Sequence, residues 1–274
     1  MDNKFRILAI IMIVSVIGIS AIITLTIIQN NPSQQGDEEE LSPPNGFHFN
    51  GVDIRWIQVC GFQIKTKETI IYVDPFELLS TANYEKADYI FVTHSHLPHF
   101  SVSDIYDLSD NETVIIAFSR ALGLGLVNLP VKEMHYVTEG ELLTFDGVSF
   151  ETVPMYNIDK FRDSGVLFHP PGDGIGVVID FGTARIYHAG DTDRIPEMKN
   201  IIADVALLPV SGNAWMTPSE AAGAVDDLKE AGDLKYAIPM HWDNTGFKLD
   251  ATAFGELANC STVILTTQFG WSKS

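Results

Sequence analysis

A short apolar run that ends in clustered histidines is the feature that most constrains how this chain can fold. The run is Tyr89–Val92, and the segment THSHLPHF (residues 93–100) follows it directly. Four consecutive apolar residues are typical of a strand that is buried on both faces. In extended backbone His94 and His96 point to the same side, and His99 lies on the turn that follows. Because imidazole is the commonest side-chain ligand for zinc and also suits iron, nickel and copper, the segment predicts a metal site at a strand end.

Four further predicted strands end in residues that could bind a metal or support a ligand. Rigid strands with functional loops at their ends are a common way of building a site. The strands occupy residues 70–73, 150–153, 185–187 and 236–240. The residues at their ends are Asp74, then Asn157, then His188, Asp191 and Asp193, and finally His241.

The rest of the pattern predicts a mixed α/β fold. The chain has 274 residues and is 46% apolar, which allows one large domain or two small ones. Turn sequences at Asp146-Gly147 and Phe181-Gly182-Thr183 predict two hairpins. Helix starts at Ser101 and Thr217 carry capping residues, and a further short helix is predicted at 120–126. Buried runs mixed with hairpins, in two halves, predict sheets that pack together under a cover of helices.

The N-terminal segment 7–28 predicts a membrane anchor. Its 22 residues contain no charge, and as a helix they would span about 33 Å, close to the thickness of a bilayer core. Lys4 and Arg6 precede it and an acidic run at 37–40 follows. The positive-inside rule then gives a single-pass protein of the cell membrane with a cytoplasmic N-terminus and an extracytoplasmic domain. A cleaved signal peptide is the alternative interpretation.

These features divide the chain into four parts. Residues 1–6 are a short cytoplasmic N-terminus, 7–28 the anchor, 29–46 a flexible acidic linker, and 47–274 the folded domain. The two cysteines, Cys60 and Cys260, exclude a scaffold built on disulfides. Both are expected to be buried free thiols, although one bond between them stays open outside the cytoplasm.

The net charge argues against nucleic acid as a partner. The chain has 36 acidic and 17 basic residues, a formal net charge of −19. Binding to phosphate backbones needs clustered lysine and arginine, which this chain lacks. The expected partner is a small-molecule or lipid-like substrate, and the membrane is reached through the N-terminal helix. The oligomeric state is left open.

The five strand-end segments resemble, in order, the conserved segments of the metallo-β-lactamase superfamily. The cluster at 94–99 is similar to its H-x-H-x-D-H signature, and the resemblance covers essentially residues 47–274. It is closest to a small group of metal-dependent hydrolases with this fold. It implies a four-layer αββα sandwich with a metal site at one edge of two sheets. The implied ligands are His94, His96, His99, Asp191 as a bridge between two metals, and His241, with Asp74 as an acceptor that orients a ligand loop.

Two positions depart from the superfamily pattern. Pro98 stands where the signature has aspartate, and Asn157 lies where many members have another histidine. The remaining residues predict one site formed by His94, His96 and Asp191, and a second formed by His99, Asp191 and His241. Three ligands with water in the fourth place are typical of a catalytic zinc site. One or two zinc ions are expected, with iron or manganese as alternatives, and the second ion should be held weakly.

The predicted anchor and the resemblance together imply a membrane-anchored hydrolase. A metal-bound hydroxide would attack an ester, lactone or phosphodiester-type substrate. Asp191 and His188 are the predicted catalytic residues. Either His188 or Asp193 would shuttle protons, and a supporting role is the alternative for Asp193, as it is the prediction for Asn157. A structural role in the sheet edge is the alternative for His188.

The predicted substrate-binding residues are His169, Trp215 and Trp242. His169 lies in a loop rich in glycine and proline, and each tryptophan follows a site segment. Packing in the core is the alternative for either tryptophan. Two other functions stay open: a catalytically impaired relative that binds a ligand or partner without turnover, and a fold that holds a purely structural metal.

Overall fold

Two seven-stranded β-sheets and three α-helices form the framework of the described part of the chain. The structure is a computed structural model, and it describes residues 46–78, 83–119, 126, 128–242 and 248–265. The predicted anchor 7–28, the linker up to residue 45 and, apart from Leu126, the helix predicted at 120–126 lie outside the described residues. Within the described ranges, no helix has both the length and the apolar character that a membrane span requires.

The first sheet comes from the N-terminal half of the domain. Its strands, in spatial order, are β1 (Gly46–Phe49), β2 (Val52–Trp56), β3 (Phe62–Lys65), β4 (Ile70–Val73), β5 (Tyr89–Val92), β6 (Val114–Phe118) and β7 (Glu133–Val137). Strands β1 to β4 form an antiparallel meander, and β4 to β7 are parallel to one another. The parallel strands all end at the same edge of the sheet.

The second sheet repeats this plan with the C-terminal half. Its strands are β8 (Leu142–Phe145), β9 (Val148–Pro154), β10 (Ile175–Asp180), β11 (Arg185–His188), β12 (Val205–Pro209), β13 (Tyr236–Met240) and β14 (Ser261–Thr262). They lie side by side in sequence order. Strands β8 to β11 are antiparallel, and β11 to β14 are parallel. Both predicted hairpins are confirmed, and Asp146 and Gly147 have the positive φ angles, 45° and 88°, that a tight hairpin turn requires.

The helices begin where their capping residues predict. They are α1 (Val102–Leu108), α2 (Pro218–Ala231) and α3 (Lys248–Leu257), with a short 3₁₀ helix at Pro196–Asn200. The Ser101 side chain accepts from the Asp104 amide at the start of α1. Thr217 and Glu220 form a reciprocal capping box at the start of α2. Helices α1 and α2 therefore each have a free N–H group of the first turn satisfied locally.

Strand β5 is buried on both faces, which explains its unbroken apolar sequence. Tyr89 and Phe91 point into the cluster that lies between the two sheets. Ile90 and Val92 belong to a separate cluster with Ile105 of α1, on the outer face of the first sheet. Since successive side chains of a strand alternate between faces, a strand between a sheet and a helix must be apolar at every position. Helices α2 and α3 contribute apolar residues to the same cluster as Tyr89 and Phe91.

This topology brings the predicted site residues to one edge. Strands β4 and β5 run in the same direction, with Val73 opposite Phe91. In the second sheet β9 and β11 both run antiparallel to β10, so their ends meet at the beginning of β10. Strand β13 is parallel to β11 through β12. The loops that follow these five strands therefore face one another across the two sheets.

Candidate metal centre

Asp191 is the centre of the site. Its carboxylate is 2% exposed. Its Oδ1 atom lies 2.8 Å from Nε2 of His241 and 3.0 Å from Nε2 of His99. Its Oδ2 atom lies 3.6 Å from Nε2 of His169 and 3.8 Å from Nε2 of His94. Each carboxylate oxygen thus faces two imidazoles, which is the arrangement expected of a bridging ligand.

Three histidines form a group on the Oδ2 side. Ligand atoms of His94, His96 and His169 all lie within 4.8 Å of one another. Nε2 of His169 is 3.1 Å from Nδ1 of His96. His94 and His169 are buried, whereas His96 is half-buried and reaches toward solvent. Three imidazoles with a carboxylate beside them and one open side match a catalytic zinc site.

Two buried atoms of the centre, one on each side of Asp191, have no hydrogen-bond partner within the described part of the chain. They are Nε2 of His94 and Oδ1 of Asp191. An unpaired buried polar atom costs about 1 to 3 kcal/mol, so such atoms need a reason. Divalent cations bound on the two sides of the Asp191 carboxylate would satisfy both. The donor set and its unpaired atoms therefore fit the metal ions that the sequence predicts.

Burial and charge give the ligands suitable protonation states. Burial holds the pKa of His94 well below its usual range and lowers that of His169 to about 4. Both rings are therefore neutral at pH 7, with lone pairs available for a metal. Burial disfavours the charge on Asp191, but the facing imidazoles of His241 and His99 outweigh it and hold the pKa of its carboxyl well below the usual range.

The Asp191 carboxylate raises the pKa of the other two histidines, His99 and His241. Burial alone would lower the pKa of His241, but the Asp191 charge outweighs it and raises the pKa to about 9. The pKa of His99 is raised well above its usual value by the same balance. Without a cation, protons on these rings neutralise Asp191. A bound metal would take over that role and displace the protons.

Asp74 orients the first strand-end loop, in the place where the sequence predicts a supporting acceptor. Its Oδ2 atom lies 2.6 Å from Nδ1 of His99 and accepts from Oγ1 of Thr93, also at 2.6 Å. Its Oδ1 atom accepts from the Thr93 amide at 2.8 Å. The contact fixes the proton of His99 on Nδ1 and leaves Nε2 directed at Asp191.

Asn157 and Asp193 lie behind His169. Oδ1 of Asn157 accepts from the His169 amide at 2.8 Å and lies 3.1 Å from Nδ1 of the same ring. Nδ2 of Asn157 is 3.3 Å from Oδ1 of Asp193. Asn157 therefore holds the His169 ring with Nε2 toward the site, and Asp193 holds Asn157. A supporting role for both residues stays a prediction.

His169 is a buried member of the ligand group and not the surface-loop residue that the sequence predicts. The sequence predicts a substrate-binding residue in a surface loop, but the ring is 3% exposed and belongs to the ligand group. Its Nε2 atom lies with the ring nitrogens of His94 and His96, and Asn157 supports it from behind. The available signal was that His169 is the next histidine along the chain after Asn157.

His188 does not face the metal group, which corrects its prediction as a catalytic residue. Its Nε2 atom donates to the Cys60 carbonyl at 2.8 Å, and its Nδ1 accepts from the Gly190 amide at 3.2 Å. Burial lowers its pKa, which keeps the ring neutral. Both ring nitrogens are occupied, so none is left to move a proton. The structural alternative agrees with this geometry.

The two tryptophans separate into a site residue and a core residue. The Trp215 ring is half-buried, with its centroid 4.1 Å from that of His241. Trp242, in contrast, is 1% exposed and stacks on Trp56 at 5.2 Å between centroids. Its substrate-binding prediction is therefore corrected to packing between the sheets, because no part of the ring reaches a substrate.

Comparison with known proteins agrees with this site. The family profile described as Beta-lactamase superfamily domain matches residues 53–241, more than half of the chain. The chain belongs to the β-lactamase superfamily. The match begins in β2 and ends at His241, so it includes every strand end that carries a proposed ligand. The resemblance found in the sequence is thereby confirmed.

Relatives in this superfamily extend over most of the domain. A UPF0173 metal-dependent hydrolase of Symbiobacterium thermophilum is 31% identical over 70% of this chain and 84% of its own length. One from Methanobrevibacter smithii is also 31% identical, over 70% and 82%. A crystal structure from Parabacteroides distasonis, described as a candidate metal-dependent hydrolase, aligns with a TM-score of 0.69 and 28% identity over 81% of this chain and 99% of that one. The predicted superfamily fold of two sheets in a mixed α/β sandwich agrees with these matches.

Proposed function

We propose that this protein is a membrane-anchored, metal-dependent hydrolase that cleaves an ester, lactone or phosphodiester bond in an amphipathic substrate. The observation that carries the proposal is the ligand group around Asp191, with two buried atoms unpaired. Relatives at 31% identity that are named metal-dependent hydrolases support the reaction class. Bound divalent zinc, iron or manganese would polarise the scissile bond and lower the pKa of a water to about 7.

The chain's own residues set the charge and the orientation of the metal ligands. Asp191 keeps its negative charge between the neutral rings of His94 and His169 on one side and the rings of His99 and His241, whose pKa values it raises, on the other. Asp74 and Asn157 fix the rings of His99 and His169 through their Nδ1 atoms. The half-buried ring of His96 marks the side from which a substrate reaches the group. Since the other ligands are buried among the described residues, we expect attack from this side.

The rim beside His96 exposes large apolar side chains together with charged residues of both signs, among them Arg162 and Asp163. The exposed large side chains here are Leu97, Ile158, Phe161 and Val166, which are 52 to 73% exposed. Arg162 lies among them, with Nη2 3.4 Å from Nε2 of His96 and 3.0 Å from the Phe168 carbonyl. Apolar exposed side chains next to a site fit the hydrophobic part of a ligand, and a guanidinium fits a carboxylate or phosphodiester. We therefore favour a substrate with an acyl or other apolar part and an anionic group.

An apolar substrate also fits the predicted N-terminal anchor. If residues 7–28 span the bilayer, the linker would keep the domain within reach of lipids and other envelope molecules. The domain would lie outside the cytoplasm by the positive-inside rule. A small-molecule or lipid-like substrate, with no role for nucleic acid, remains the proposal for the partner.

The test is a substrate screen on the purified full chain in detergent. Chelated protein and protein reconstituted with zinc, iron or manganese are compared on esters, lactones and phosphodiesters of increasing acyl length. We expect metal-dependent turnover that rises with acyl length. Metal uptake without turnover on any class would favour the non-catalytic binding protein that Pro98 suggests. Four protein ligands on every bound ion, with no open place, would instead indicate a structural metal.

A further inference from the structure

The second half of the metal centre lacks the aspartate of the family signature, and the structure offers a replacement. Pro98 has no side-chain donor, and the Sγ atom of Cys60 lies 3.5 Å from its carbonyl oxygen. We propose that Cys60 is a metal ligand, and that with His99, His241 and Asp191 it binds a divalent cation of the zinc class. This inference rests on the metal-dependent function proposed above and names a ligand of the same centre.

The distances suit one shared ion. Ligand atoms of Cys60, His99 and His241 lie within 4.8 Å of one another, and all three residues are buried. In a tetrahedral site with zinc–sulfur bonds of about 2.3 Å and zinc–nitrogen bonds of about 2.0 Å, such atoms lie about 3.5 Å apart. Small rotations of the side chains would bring the three ligand atoms from within 4.8 Å of one another to this ideal separation. Asp191 completes the set, because its Oδ1 faces both rings at 2.8 and 3.0 Å.

Asp191 gives an independent indication that these atoms share an ion. Its Oδ1 has no hydrogen bond within the described ranges, although two ring nitrogens lie within 3.0 Å. The two Nε2 atoms of His99 and His241 also face each other at 3.1 Å. These three atoms lie within 3.1 Å of one another and converge on a common point, which is how the ligands of one cation are arranged.

The turn between β2 and β3 holds Cys60 against the site. The Val59 carbonyl accepts from the His241 amide at 2.8 Å, which joins the turn to the end of β13. The Cys60 carbonyl accepts from His188 at 2.8 Å, which joins it to the end of β11. Gly61 follows, where an added Cβ would lie 2.9 Å from the Asp74 carbonyl oxygen. The sulfur is therefore held in place by backbone contacts with three strand ends.

Metal binding at Cys60 is a simple exchange. The S–H bond breaks, a bond forms between Sγ and the cation, and the proton leaves to solvent. No oxidant or reductant is needed. A thiolate favours zinc over magnesium, calcium or manganese, which prefer oxygen ligands. The second ion would therefore be zinc-like, held by two nitrogens, one sulfur and one oxygen, while the first has three nitrogens and one oxygen.

The experiment uses cobalt(II), because cobalt–thiolate coordination gives a charge-transfer absorption in the near ultraviolet. The apo full chain is titrated with Co²⁺ in detergent, and bound metal is counted by elemental analysis. The variants are Cys60→Ser and, as the matched control, Cys260→Ser at the other free cysteine. We expect the band in the wild type and in Cys260→Ser, and its loss in Cys60→Ser together with at least tenfold weaker binding of one metal equivalent.

If Cys60→Ser folds poorly, the cobalt spectrum of the wild type and a double variant still test the proposal. Adding Pro98→Asp to Cys60→Ser should restore the lost equivalent without restoring the band. Cobalt bound by the wild type without a thiolate band, or full binding by a folded Cys60→Ser, would overturn the assignment of Cys60 and leave the hydrolase proposal standing. Failure of the wild type to bind any metal would overturn both.

Discussion

Nδ1 of His99 lies 2.6 Å from Oδ2 of Asp74, and both side chains are completely buried. The contact sets the ring so that its other nitrogen faces Asp191. Hydrogen bonds of this kind typically change metal affinity by about 10- to 100-fold. Asp74→Asn should weaken binding of the ion at His99 by that factor, as measured by competition with a chelator. Asp146→Asn, on a hairpin turn away from the site, is the control, and equal affinities in both variants would contradict the role of Asp74.

His169 should act as a ligand and not as a substrate contact. We expect His169→Ala to lose most binding of the ion beside His94 and His96, by about 100-fold or more, since direct ligands contribute more than their supports. Metal content by elemental analysis and isothermal titration measure the loss. His135→Ala, at a half-buried histidine on the edge strand β7, should keep full metal content. Unchanged metal content in His169→Ala with a raised KM would restore the role predicted from the sequence.

Arg162 should select for anionic substrates. Its guanidinium lies beside His96 on an exposed rim, so its contribution is reduced by solvent. We expect Arg162→Ala to raise KM for an anionic ester about two- to tenfold, with little change for a neutral ester of the same acyl length. Arg162→Lys should recover part of the loss, because it keeps the charge without the planar fork. Equal effects on both esters would remove the argument for an anionic substrate.

The capping box of α2 gives a prediction for stability alone. The Thr217 side chain accepts from the Glu220 amide, and the Glu220 carboxylate accepts from the Thr217 amide at 2.7 Å. Loss of such a cap costs about 1 kcal/mol, which is about 2 to 4 °C in Tm for a domain of this size. Thr217→Ala should show this decrease in thermal unfolding, with unchanged metal content, and Thr217→Ser should not. A loss of metal in Thr217→Ala would mean that α2 also supports the site.

The sequence was most informative where local chemistry decides the outcome. Strand β5 was predicted because one of its faces packs toward the second sheet and the other toward α1, so every position must be apolar. Strand β7 was missed because it lies at an edge of the first sheet, and its half-exposed sequence EMHYV lacks that pattern. Helix starts at Ser101 and Thr217 were predicted because caps depend only on neighbouring residues.

The candidate site was predicted only where its residues directly follow strands. Asp74, His94, His99, Asp191 and His241 come together because parallel strands share an edge. His169 was misplaced because its position depends on a tertiary contact with Asn157, twelve residues earlier in the chain, and no local pattern records it. Cys60 was read as an ordinary buried thiol for the same reason, since its turn is held by strand ends from the other sheet.

The charge of Glu220 should contribute to stability at neutral pH and not at low pH. Burial disfavours its charge, but hydrogen bonds from Lys160 and Thr217 outweigh burial and lower its pKa below the usual 4.5. A depressed folded-state pKa contributes stability that is present above pH 4.5 and lost as the pH falls through the lower folded-state value. Glu220→Gln should therefore be less stable than the wild type at pH 7, by less than about 1 kcal/mol because the carboxylate is partly exposed. Denaturant unfolding should show the difference shrinking below pH 4.5, whereas a difference that stays constant with pH would show that packing, and not charge, is the cause.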